Sequence, residues 1–216
     1  MGVGLVTLYG CATQRAGAPP TAADGQITVR PGRAGLLVAA RQTGRDGEVA
    51  DMAAEIARRT GFGLVVASGV PVDGDGRGPA RRLDELYEQR VREAAQGALR
   101  FYAEIDGHDG RPCAGPIEIA TVGIDRELAL RLRALAELIR DAHLRGHQAV
   151  PRLDVLVEPV DTVTFRASGS SRDDILRLPE RALHIELPRC HRRDWRDAYT
   201  AILADFLAEA VTLAGR

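Results

Sequence analysis

The stretch FYAEIDGHDGRPC, residues 101–113, sets two acids, an Asp-Gly-His-Asp cluster and a cysteine behind a short apolar run. Strand alternation puts Phe101, Ala103 and Ile105 on one side and Tyr102, Glu104 and Asp106 on the other. Glu104, Asp106, His108 and Asp109 grouped where a strand ends suit a metal or acid/base site. The plainer reading is a polar turn, since Asp and Gly are turn formers. Two other apolar runs end in the same way. GLLVAA leads into Arg41, Gln42, Thr43, Gly44, Arg45 and Asp46, and ALHIEL carries His184 and Glu186, with Arg189 just beyond. Glu186 lies between Ile185 and Leu187 on an apolar strand, where a charge needs a reason. His184 alternates onto the same face, as a hydrogen-bond partner would.

The elements that must position these residues follow from periodicity. Strands are expected over 26–30, 35–40, 62–68, 101–105, 116–122, 153–157 and 183–187, with a turn at Pro31-Gly32 between the first two. Helices are expected over 49–59, stopped by Gly61, and over 83–95, 126–145 and 195–213. Strands alternating with helices imply an α/β protein with a mostly parallel sheet and helices on both faces. In such sheets ligands bind at the carboxyl ends of strands, where the three ionisable groups fall.

Bulk composition removes several function classes. The chain has 216 residues, 45% hydrophobic and 27% charged, with a formal net charge of −1. That is one domain's worth of ordinary globular sequence, with no electrostatic case for nucleic acid. Residues 1–25 read as separate from the domain at 26–216. MGVGLVTLYGC followed by an Ala/Pro/Thr-rich stretch resembles a bacterial lipoprotein signal with Cys11 as the lipid-bearing residue, although Tyr9 and the missing charged start depart from the pattern. A frayed terminus on a cytoplasmic protein is the alternative to a periplasmic or membrane-anchored one. HLRGH (143–147) has paired histidines but crosses the helix-ending Gly146, and GDGRGP lacks the Lys-Ser/Thr of a phosphate loop. His143, His147 and His191 read as surface residues at helix ends.

Taken together, these residues resemble the N-formylglutamate amidohydrolase family, zinc-dependent hydrolases with an α/β fold akin to zinc carboxypeptidases. The resemblance implies a three-layer αβα sandwich around a mostly parallel, mixed sheet. The family's early Pro-His-x-Gly is matched at Gly44, but Arg41 and Gln42 replace the proline and histidine. Its Asp-x-His-Ser is matched either by Glu104-Ile105-Asp106 or, shifted by two, by Asp106-Gly107-His108. Its late glutamate is Glu186. The chain has no asparagine for the Asn-Arg pair, leaving Arg77, Arg81 or Arg82 as substitutes. On this resemblance Asp46, Asp106 and His108 are the metal ligands, Glu186 the general base and Arg189 the carboxylate clamp, with Gln42, Glu104 and His184 lining the substrate. Asp46 also suits a helix cap, His108 a turn, and Arg189 a partner for Glu186. A donor set of two acids and one histidine is hard and oxygen-rich, so zinc affinity falls and a magnesium-like or metal-free site opens.

Two readings follow. One is a metal-dependent amidohydrolase acting on an N-acyl amino acid or similar small amide carboxylate. The other is a catalytically inactive relative that binds carboxylates. If Cys11 carries lipid, Cys113 and Cys190 are the remaining pair, each just beyond a site-bearing strand. Should those strands be neighbours, the two could form a disulfide; the alternative is two unrelated thiols.

Overall fold

A computed structural model describes residues 26–41, 47–68, 79–108, 113, 115–164 and 175–215, apart from the side chains of 79–83 and 108. Gln42, Asp46, Arg77, Asp109 and the whole 1–25 segment with Cys11 lie outside the described residues. The elements in chain order are β1 (Gln26–Arg30), β2 (Arg33–Arg41), α1 (Glu48–Thr60), β3 (Phe62–Ser68), α2 (Pro79–Ala95), β4 (Phe101–His108), β5 (Ile117–Val122), α3 (Arg126–His143), β6 (Val155–Val157), a 3-10 turn (Ile175–Arg177), β7 (Arg181–Pro188), α4 (Arg189–Arg193) and α5 (Arg196–Ala214). Among the described residues no helix is long and apolar enough to cross a membrane.

The strands form one sheet in the order β1-β3-β2-β4-β7-β5-β6. β2, β4 and β7 run parallel side by side, and β3 is parallel to β2. β1 lies antiparallel on β3, and β5 antiparallel on β7. The α/β class with a mostly parallel, mixed sheet is therefore the observed fold. The orientation of β5 follows from chain length: the few residues after β4 are too short for the crossover that a parallel strand needs. The expected Pro31-Gly32 turn does not pair β1 with β2. Instead the chain passes over the start of β3, where a Cβ on Gly32 would lie 2.3 Å from the Gly63 nitrogen. Only glycine allows so close a backbone crossing.

Each central strand is buried on both faces. One face packs Val38, Ala103, Ile105 and Ile185 under α1, α3 and α5. The other packs Leu37, Ala39 and Tyr102 under α2, together with Val163, Ile175 and Leu176. Helix ends obey local rules. Gly61 takes the left-handed conformation (φ 71°) that stops α1, and the Asp125 side chain accepts the Leu128 N–H to start α3. Gly146 has a φ of 87° beyond the end of α3, so HLRGH is not one helical face.

Candidate active site at the ends of β2, β4 and β7

Register does the positioning. Glu104 of β4 pairs with His184 of β7, and Asp106 with Glu186. Residues in register on adjacent strands share a face, so all four side chains project from the α2 side of the sheet. Arg41, the last residue of β2, emerges on the same face. β5 adds a fifth position, because Glu118 pairs with Glu186 from the other side.

The centre is a buried charge network. Glu104, 1% exposed, accepts two hydrogen bonds from Arg41, from Nε at 2.6 Å and from Nη2 at 3.3 Å. Such a bidentate pair is the strong form of this contact. The Arg41 guanidinium also lies 5.4 Å from the centre of the Tyr87 ring, whose hydroxyl meets that of Tyr102 at 3.0 Å. His184, 4% exposed, has Nδ1 3.7 Å from Glu104 Oε2. Its Nε2 lies 3.7 Å from Glu186 Oε1 and 4.0 Å from Asp106 Oδ2. The imidazole thus stands among three carboxylates.

The electrostatics follow from those neighbours. Burial penalises the Glu104 charge, but Arg41 and His184 hold its carboxyl well below the usual range. Burial alone would push His184 down, yet Glu104, Glu186 and Asp106 together lift it to about 9. Asp106 moves upward, through burial first and then repulsion from Glu104. Its Oδ1 accepts the Gly107 N–H at 2.7 Å. Two carboxylates in register, one of them raised, with a cation between them, can divide the work of acid and base.

Of the residues expected from sequence, Glu104, Asp106, His184 and Glu186 converge. The His108 backbone closes β4 in register with Pro188, while Gln42 and Asp46 lie outside the described residues. Arg189 stands exposed at the head of α4. Two buried groups were not anticipated. Glu118, 5% exposed, accepts the Thr164 N–H at 2.7 Å; its signal, an acid between Ile117 and Ile119, was the same one that marked Glu186. Arg192 is 3% exposed, with its guanidinium against Gly107 on the opposite face. His191 corrects the expectation of a surface histidine: it is fully buried, because Trp195 and Tyr199 from the following turn and helix close over it. His143 is partly exposed and pairs with Asp205 at 2.7 Å, and His147 is exposed.

A zinc site asks for neutral imidazole and for carboxylates free to coordinate. Here both Glu104 oxygens accept from Arg41. Among the described residues no three His, Cys, Asp or Glu side chains are grouped to hold a metal ion. The described donors do not fit zinc.

No protein-family model matches the chain, and no curated protein matches it. Solved structures do match. The zinc-free apo form of YndL aligns over 87% of this chain and 91% of that one, with 14% identity and a TM-score of 0.55. A bacteriophage poly-gamma-glutamate hydrolase aligns over 90% and 91%, at 14% identity and a TM-score of 0.51. A gene product of Agrobacterium tumefaciens aligns over 88% and 95%, also at 14% and 0.51. At such identities the likeness is one of fold: the chain shares the α/β fold of these structures.

Proposed function

We propose that the protein is an amide hydrolase acting on an N-acyl amino acid or a similar small amide carboxylate. The observation that carries this reading is the pairing of Asp106 with Glu186 at neighbouring strand ends, with His184 between them. The fold shared with a poly-gamma-glutamate hydrolase and the motifs shared with N-formylglutamate amidohydrolases support it. Both names describe an amide next to a carboxylate. Glu186 accepts a proton from water as the oxygen attacks the carbonyl carbon. The His184 imidazolium stabilises the negative charge that develops on the carbonyl oxygen. Asp106, kept protonated more readily than an ordinary aspartate, donates to the leaving nitrogen as the C–N bond breaks. The products are a carboxylic acid and an amine.

A second reading, a carboxylate-binding relative without turnover, is favoured by one contact: Arg41 closes on Glu104, so the cations of the site are built into the chain. The Cys113–Cys190 bridge supports placement in an oxidising compartment, as a lipid anchor at Cys11 would require.

Turnover of N-formylglutamate and related N-acyl amino acids by the wild type and by Glu186→Gln tests the proposal. The substitution should cost about 10²–10⁴ in rate with the fold intact. No wild-type turnover alongside measurable carboxylate binding would favour the second reading. Stoichiometric zinc by elemental analysis would favour a metal-dependent version with Asp46, Asp106 and His108 as ligands.

A further inference from the structure

Cys113 and Cys190 form a disulfide with a Cα–Cα separation of 5.0 Å across 77 residues of chain. Cys113 follows β4, which bears Asp106, and Cys190 sits in α4, immediately after the strand bearing Glu186. The bridge therefore closes the sheet edge from which the candidate site opens. Its place in the ladder is specific. The last register pair between the two strands is His108 with Pro188. The ladder between β4 and β7 thus ends two residues past the pair of Asp106 and Glu186, and the bridge lies just beyond that point. Residues of α4 add to it. Arg192 lays its guanidinium where a Cβ on Gly107 would come within 2.4 Å, and Arg193 pairs with Glu48 of α1 at 2.6 Å. Cys113 is exposed, so a thiolate can reach its side of the bond.

We propose that the Cys113–Cys190 bridge is a redox latch on this sheet edge, opened by a dithiol reductant. A thiolate of the dithiol attacks the exposed Cys113 sulfur, and Cys190 leaves as a thiolate that takes a proton from solvent. The second thiol of the reductant then attacks the mixed disulfide, releasing Cys113 as a thiol and the reductant as its own disulfide. Two electrons pass from the dithiol to the bridge. With the latch open, the end of β4 is held to β7 by its last ladder pairs and the Arg192 contact, and the spacing of Asp106 and Glu186 loosens. The structural part of this proposal is independent of the hydrolase reading, whereas its regulatory meaning rests on that reading.

Hydrogen exchange followed by mass spectrometry on the full chain, with and without dithiothreitol, tests the structural part whatever the protein's activity. Reduction should speed exchange about tenfold or more in peptides covering 104–108 and 184–193. Peptides covering β1 and β3 should be unchanged, and reoxidation should restore the original pattern. The Cys113→Ser/Cys190→Ser double variant should reproduce the reduced pattern. Uniform acceleration along the chain would make the bridge a general staple and overturn the latch, as would no change at the site edge. Alkylation of unreduced protein from an oxidising compartment that finds two free thiols would overturn it as well. Once turnover is established, its unchanged rate on reduction would remove the regulatory meaning while leaving the exchange result in place.

Discussion

His184 and His191 stand seven residues apart, and both are buried, yet the chain treats them in opposite ways. His184 faces Glu104, Glu186 and Asp106, and these overcome burial to lift it to about 9. His191 has Trp195 and Tyr199 rings centred 4.8 Å away, and among the described residues neither ring nitrogen has a hydrogen-bond partner. Burial pushes it down to about 4, with Asp194 offsetting only part of the effect. Depth in the structure does not decide the charge of an imidazole. Its neighbours do: carboxylates surround His184 in the candidate site, whereas aromatic rings surround His191 in the core.

The strongest way to break this contrast is to remove the carboxylate that anchors His184. Glu104→Gln leaves the Arg41 guanidinium and the imidazolium without their shared counter-charge. Losing one member of a buried pair costs about 3–5 kcal/mol, which denaturant melts would read directly. His184 should then titrate lower, moving toward the behaviour of His191. A variant as stable as the wild type, with an unmoved His184 titration by NMR, would mean that the network does not set the charge.

The next effect is on pH. His184 has a folded value above the unfolded one near 6.5, so its contribution is complete below about 6.5 and is lost as pH rises through about 9. His191 has a folded value below the unfolded one, so stability falls as pH drops from about 6.5 toward 4. His191→Phe keeps an aromatic ring against Trp195 and Tyr199 and removes a buried N–H that lacks an acceptor among the described residues. It should stabilise the protein by about 1–2 kcal/mol at neutral pH and flatten the acid side of a melting-temperature profile without altering the alkaline side. An acid limb that stays as steep in the variant would assign that sensitivity to the carboxylates instead.

How much of this could be read from sequence differs between the two histidines. The alternation in FYAEID and ALHIEL showed which residues share a face, and the structure keeps Tyr102, Glu104 and Asp106 opposite Phe101, Ala103 and Ile105. The four-residue pairing across β4 and β7 depended on strand order, a tertiary property with no local signal. The turn of Arg41 onto Glu104 is equally non-local. His191 was misread because RCHRR is five residues of mostly charged sequence with no period, and its burial comes from aromatic residues that follow it. β1 went to β3 because of a backbone crossing at Gly32, where the sequence suggested only a turn.

The smallest predicted effect extends the comparison to a third kind of buried polar group, one that is neutral and fully paired. Tyr87 of α2 and Tyr102 of β4 are both buried, with hydroxyls 3.0 Å apart, beneath the Arg41–Glu104 pair. Burial and the nearby Glu104 charge push both phenols up, so each stays protonated across the physiological range. Tyr87→Phe keeps the ring under the Arg41 guanidinium and deletes only the hydroxyl, leaving that of Tyr102 without its partner. That should cost about 1–2 kcal/mol. Tyr102→Phe should cost a similar amount by the same argument. The double variant removes both hydroxyls and leaves no orphan, so its loss should fall short of the sum of the singles by about 1 kcal/mol. Strictly additive losses in denaturant melts would mean that the two hydroxyls are not a pair. The floor under Arg41 would then be apolar packing alone, closer in kind to the surroundings of His191 than to those of His184.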